Sequence, residues 1–156
     1  MKGSRSRPET PDPRRSAQRI LLRVEHDAAF ADLLLDKAAS GLTDPRDSAR
    51  LHERMAILFE YKGEREKAIQ HYDRAIELDS SLGESKNNLA YLLAEGGGDL
   101  DRALDLAQEA KALLPENPNT ADTLGWVLYK RGIPSAAIGY LREAMAGFAG
   151  DDDAIG

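Results

Sequence analysis

Residues 56–81, AILFEYKGEREKAIQHYDRAIELDSS, recur in outline as NNLAYLLAEGGGDLDRALDLAQEAKALLPEN at 87–117 and as DTLGWVLYKRGIPSAAIGYLREAM at 122–145. Small residues set the register: Ala56, Ala90 and Gly125, then Ala68, Ala103 and Ala137, then Ala75, Ala110 and Ala144, so the period alternates between 34 and 35 residues. A period of that length denotes stacked units rather than one closed globule. Each unit reads as two short amphipathic helices, with Ala or Gly where the backbones approach too closely for a larger side chain. Large residues at helical spacing fill the space between: Leu58, Phe59, Ile69, Tyr72 and Ile76, then Leu89, Leu92, Leu93, Leu104 and Leu113, then Leu124, Leu128, Ile138 and Leu141.

Across residues 49–147 the three segments resemble tetratricopeptide repeats, with the small residue and turn glycine of the first helix, the paired alanines of the second, and Pro115 after it. The departures are one extra residue in the Gly96-Gly97-Gly98 turn, Ser80 in place of the usual proline, and Ala107 where an aromatic is common. The resemblance implies an all-α fold: a right-handed α-solenoid of about three helix pairs, with units at 49–82, 83–117 and 118–147 inside an array spanning 44–147.

Boundaries follow from local signals. Asp44, Pro45 and Asp47 supply a capping side chain, a proline at the first helical position and an acid in the first turn. Gly63 marks the end of that helix. Ser81 and Glu84 have capping-box spacing, Asp99 can cap the following helix, Asn117-Pro118 opens the third unit and Pro134 the last helix. Beyond 147, residues 148–156 read as a flexible acidic tail, leaving Leu141 and Met145 on an incompletely covered C-terminal face through which a homodimer could form.

Residues 1–13, with Pro8, Pro11 and Pro13 among charged and polar residues, read as a disordered leader. Residues 14–43 read as a helix pair, with a stripe of Ala17, Ile20, Leu21 and Val24 and a second of Phe30, Leu33, Leu34 and Ala38, capped by Asp27 and stopped by Gly41. The stretch RRSAQRILLRVEHDAAFADLLLDKAASGLTDPRDSARL, residues 14–51, is similar to the opening of the NusB-type RNA-binding domain of bacterial ribosomal RNA cytosine-5 methyltransferases, through Arg15, Arg19, Leu22, Arg23, Val24, Ala29, Phe30, Ala31, Leu35 and Asp47. An intact domain of that type needs further helices, whereas here the first repeat begins at Leu51. The pair is therefore expected to cap the exposed apolar end of the array. The alternative is an RNA contact in which Arg14, Arg15, Arg19 and Arg23 meet phosphates, giving an RNA-associated factor with weak, salt-dependent affinity.

Composition narrows the chemistry. The 156 residues include no cysteine, which excludes disulfides, thiolate metal sites and thiol nucleophiles. The net charge of −6 conceals a balance of +5 over residues 1–24 and −11 over the remainder. No apolar run is long enough to cross a bilayer and none follows the early basic residues as a secretory signal would, so the expected location is the cytoplasm. His26, His52 and His71 are isolated in sequence, Gly96-Gly97-Gly98 lacks the Lys-Ser/Thr ending of a phosphate loop, and Asp151-Asp152-Asp153 lacks calcium-loop spacing. No catalytic residue, cofactor or metal site is expected.

Binding is the remaining class. The tetratricopeptide resemblance implies that the first helix of each unit lines a concave groove, placing there Arg50, Glu53, Arg54, Ile57 and Tyr61, then Asn87, Asn88, Tyr91 and Glu95, then Asp122, Trp126, Tyr129 and Lys130. Tyr61, Tyr91, Trp126 and Tyr129 flanked by amides and charges have the composition of a peptide-binding hot spot. The partner-binding set expected from this is Arg54, Ile57, Tyr61, Asn87, Asn88, Tyr91, Asp122, Trp126 and Tyr129. The pattern by which some such arrays grip chaperone C-terminal carboxylates is absent: only Asn88 matches it, and Glu53 and Asn119 stand where basic residues are expected. The ligand expected is an extended or helical peptide anchored by an apolar side chain near Trp126.

Overall fold

The computed structural model describes residues 37–38 and 40–152. The leader, most of the expected N-terminal helix pair, His26 and the four arginines 14, 15, 19 and 23 lie outside the described residues. Those described form helices only: α1 (Pro45–Tyr61), α2 (Arg65–Leu78), α3 (Gly83–Glu95), α4 (Leu100–Leu113), α5 (Pro118–Lys130) and α6 (Pro134–Asp152). Contact is densest within the pairs α1–α2, α3–α4 and α5–α6; each pair also packs on the next through α2–α3 and α4–α5, and α3 lies against α5. The result is a layered stack of three helix pairs, an all-helical solenoid.

The stacking is set by the small residues. Ala56, Ala68, Ala75, Ala90, Ala103 and Ala110 are fully enclosed, and around them pack Met55, Phe59, Tyr72, Leu89 and Val127, also with no exposed surface. At Gly125 even a methyl group is too large, because a Cβ there would lie 2.8 Å from Leu141 Cγ and 3.2 Å from the carbonyl oxygen of Ala137. Two residues read as core fillers are not: Leu113 is 43% and Ile138 50% exposed. Leu113 sits in the last turn of α4 with its Cβ at Gly83. Ile138 is on α6, against whose outer side no further described unit packs. Ahead of α1, Ala38 and Leu42 are partly buried against the core.

Each first helix ends the same way. Gly63, Gly97 and Gly132 adopt φ of 74°, 65° and 77°, and the residue after each donates its N–H five residues back, Glu64 to Phe59, Gly98 to Leu93 and Ile133 to Leu128. This is the Schellman arrangement, which needs a residue without a Cβ penalty at positive φ. Helix starts follow the cap residues at α1, α4 and α5, where Asp44, Asp99 and Asn117 accept from the N–H groups of Arg46, Arg102 and Asn119. The capping box at Ser81 does not form. Leu82 holds the N-cap position of α3, and Ser81 instead donates both its N–H and its hydroxyl to the Asp79 carboxylate, at 3.0 and 2.6 Å. An ionised carboxylate two residues away is a stronger acceptor than the hydroxyl of a serine is for a helix N–H, and those two bonds hold the Asp79 carboxyl below its usual range. At the other end, α6 runs to Asp152 rather than dissolving at 148, because Gly147 lets it lie against Pro118, where a Cβ would come within 2.7 Å.

Two glycines in helix interiors therefore respond oppositely to the same substitution. Gly139 has open space at its missing Cβ, so Gly139→Ala raises stability by about 0.5–1 kcal/mol through backbone entropy. Gly125→Ala gains the same helix preference but overpacks Leu141 and loses about 1 kcal/mol or more net. Urea denaturation of both variants checks this; equal stabilisation by the two would show that the α5–α6 contact does not restrict residue 125.

Candidate functional site

A cavity of about 330 Å³ lies between α1, α3 and α5, walled by Glu60 of α1, by Glu84, Asn87, Asn88 and Tyr91 of α3, by Leu114 and Asn117, and by Asn119, Thr120, Asp122 and Thr123 of α5. A second, more open depression beside it is walled by Arg50, Glu53 and Arg54 of α1, by residues 81–84 and by Leu114. Of the expected partner-binding residues, the structure brings Asn87, Asn88, Tyr91 and Asp122 into the first and Arg54 into the second. Trp126 and Tyr129 form a third feature at the far end of α5. Ile57 and Tyr61 are on α1, 50% and 90% exposed, and line neither cavity.

The floor of the first cavity is a directed chain of hydrogen bonds. Tyr72, fully buried in α2, donates its hydroxyl to Glu60 Oε2 at 3.0 Å and accepts from Asn88 Nδ2 at 3.0 Å; Asn87 Nδ2 in turn donates to Asn88 Oδ1 at 3.4 Å. The carboxylate fixes the order. An ionised Glu60 can only accept, so the phenol must donate to it, which leaves the phenol oxygen to receive an N–H from Asn88 and the Asn88 oxygen to receive one from Asn87. The chain ends at Asn87 Oδ1, the single buried side-chain polar atom among the described residues with no hydrogen-bond donor. Asn87 is only 9% exposed. Asn87, expected among the partner contacts, is thus a largely buried part of the cavity wall and not an open surface residue.

Trp126 is half-buried and held in one pose. Its indole N–H donates to Glu95 Oε1 at 2.7 Å, the Lys130 ammonium lies 4.9 Å above its ring and 3.7 Å from the same carboxylate oxygen, and Tyr129 stacks on it at 5.6 Å. Tyr129 and Tyr91 remain 56% and 41% exposed. A ring fixed from three sides beside exposed aromatics offers apolar contact at little ordering cost.

Sequence reasoning missed Glu60, Glu84, Thr120 and Thr123 as cavity walls. Repeat arithmetic could have found some, since Glu84 aligns with Arg50 and Asn119, and Thr123 with Arg54 and Asn88, at equivalent places on their first helices. It also treated the histidines as isolated, whereas His52 and His71 face each other across α1 and α2 with Nδ1 atoms 2.9 Å apart, and the His71 ring stacks on Phe59. Among the described residues no group of three or more metal-ligating side chains occurs, and no helix is long and apolar enough to cross a membrane.

No family model matches the chain. Among curated proteins it is similar to the photosystem I assembly protein Ycf3 of Prochlorococcus marinus, at 27% identity over 119 residues for strain NATL1A, covering 70% of this chain and 68% of that protein; strain NATL2A gives 26% over the same shares. Among solved structures it resembles MamA from AMB-1, with TM-score 0.69 at 15% identity over 86% of this chain and 72% of that one, and MamA from MSR-1, with TM-score 0.68 at 14% identity over 90% and 79%. The fold is a tetratricopeptide-like helical repeat. α1, α3 and α5 are the first helices of its pairs; the cavity lies among them and Trp126 is on α5.

Burial, above all, pushes the Tyr72 phenol well above its usual range; the Asn88 hydrogen bond opposes this and the Glu60 charge adds to it. A raised folded value means stability that is complete below the unfolded value and is lost as pH rises toward the folded one. Above about pH 10 the unfolded chain releases the phenolic proton while the folded chain retains it, so unfolding free energy falls by up to about 1.4 kcal/mol per pH unit from this group. Tyr72→Phe is expected to be less stable at pH 7 but to lose this component of the slope. Chemical denaturation of both proteins from pH 8 to 11.5 checks it, and parallel curves would show that the phenol ionises freely in the fold.

Proposed function

We propose that this chain is a non-enzymatic adaptor that holds a segment of a partner protein along the concave face of α1, α3 and α5. The observation that carries this is the placement of its exposed aromatic surface: Tyr61, Tyr91 and Tyr129 all project from first helices, with Trp126 fixed beside Tyr129 by Glu95 and Lys130. Aromatic side chains of this kind, rigid on one side and open on the other, are where binding energy concentrates in interfaces. The cavity beside them supplies polar groups for orientation. The likeness to a protein named for photosystem assembly is consistent with a role in bringing other polypeptides together. An RNA-associated role would rest on Arg14, Arg15, Arg19 and Arg23, outside the described residues, and no observation in the described part favours it.

A second reading has its own observation. Ile138, Met145 and Phe148 of α6 are 50%, 71% and 42% exposed and lie at helical spacing, so self-association through this end would cover an apolar stripe that no described residue covers. It predicts that light scattering gives a dimer mass that returns to monomer in Met145→Lys. A monomer at all concentrations removes it.

The adaptor reading is tested by recovering partners from lysate, with and without nuclease, on wild type, Trp126→Phe and Trp126→Ala. The expected outcome is a protein partner that survives nuclease and whose affinity, remeasured with the purified partner by calorimetry, falls about thirtyfold in Trp126→Ala and little in Trp126→Phe, as for an interface hot spot. Recovery of RNA instead, lost with nuclease and indifferent to Trp126, moves the function to the arginines of residues 14–23. Loss of the native circular dichroism in Trp126→Ala makes the indole a core element and removes it from the site.

A further inference from the structure

We infer that the cavity between α1, α3 and α5 receives a lysine or arginine side chain from the bound segment, so that the partner is recognised by a basic residue in an extended stretch. The inference rests on the adaptor reading and names the chemistry of its ligand. Three carboxylates from three helices, Glu60, Glu84 and Asp122, wall the cavity, and none of the side chains lining it is cationic. Charge alone would describe a solvated acidic face. What marks this one as a receptor is Asn87, buried to nine-tenths in the cavity wall with Oδ1 lacking a donor among the described residues.

The direction of the hydrogen-bond chain makes that vacancy an acceptor. Glu60 holds the Tyr72 hydroxyl, Tyr72 holds Asn88, and Asn88 holds the Asn87 amide nitrogen, so no flip of Asn87 converts the free end into a donor without breaking the chain. A buried oxygen has already lost its water, and a donor that reaches it gains a bond with no further desolvation of that oxygen. The ligand group must then carry N–H donors, be attracted by three carboxylates, and bring an apolar stem for the exposed Tyr91 ring at the rim. Lysine and arginine meet all three conditions. A carboxylate ligand is repelled, and a neutral amide forgoes the charge term.

The test uses the full chain and a positional-scanning library of fluorescein-labelled heptapeptides, read by anisotropy, with arginine and lysine compared at each position against citrulline and norleucine. The expected result is a basic preference of about tenfold at one position, reduced to about twofold or less in Glu84→Gln/Asp122→Asn, whose altered side chains lie on exposed positions, and weakened between 50 and 500 mM salt. Asn87→Leu is expected to lose the same preference while its melting temperature stays level or rises, since it removes an unsatisfied buried oxygen; a drop in melting temperature with the preference intact would make Asn87 structural and overturn the inference. Peptides bound with no basic preference, or with an acidic one, overturn the cation site and leave the adaptor reading standing. No binding by any peptide overturns both. A synthetic peptide of residues 1–24 is run alongside; if it outcompetes every library peptide, the occupant is this chain's own basic segment and a partner segment is excluded.

Discussion

The closeness with which the helices approach one another at the alanines and Gly125 is the constraint on which the remaining structure depends. A Cβ at Gly125 would come within 2.8 Å of Leu141, so α5 and α6 approach at a separation that only a glycine at that position allows. The same enclosure at Ala56, Ala68, Ala90 and Ala103 sets the other pairs. Close packing of this kind transmits geometry, since an interior at crystal-like density has few alternative arrangements. First helices consequently fall side by side in successive units, and polar residues from three of them meet over one cavity.

Tyr72 converts that packing into electrostatics. It belongs to a second helix, yet its hydroxyl reaches Glu60 on the first helix of its own unit and Asn88 on the first helix of the next. A core side chain thus orders the groove floor and fixes which end of each amide faces which way. A leucine in its place would fill the volume but leave Glu60 and Asn88 to arrange themselves in water. Cross-unit polar ties reinforce the arrangement, with Ser85 donating to Glu53 at 2.6 Å, Arg102 paired with Asp73, and Trp126 bonded to Glu95. The exposed pairs among these add little to stability, but together they register one unit on the next.

The repeat was legible because its determinants are local. Small residues at fixed spacing, turn glycines and the caps Asp44, Asp99 and Asn117 act within a few residues of themselves, and each appears in the structure where its spacing puts it. Several differences arise where a partner distant in sequence, or a better local acceptor, decides the outcome. Asn87 is expected on an exposed surface but is nine-tenths buried in the cavity wall. Ser81 had the spacing of a capping box but lost its hydroxyl to Asp79. His52 and His71 share no sequence motif, and only the α1–α2 packing brings their rings together. Trp126 was legible as a residue of interest, and helical spacing puts Tyr129 and Lys130 beside it, but the bond from its indole to Glu95 depends on the α3–α5 contact, which periodicity does not specify.

Charge distribution bears on which partner class the groove favours. Residues 25–156 carry −11, and within the groove Glu60, Glu84 and Asp122 are drawn together by the same packing that aligns the first helices. A polyphosphate approaching this body meets a net charge of −11, so RNA contact would be carried by the basic residues 1–24 against the field of the rest. A cationic segment meets attraction that grows as it nears the cavity. A basic segment gains further if it also carries an apolar side chain, and the fixed indole of Trp126 with its exposed neighbour Tyr129 is where a side chain adjoining the basic one would find that contact.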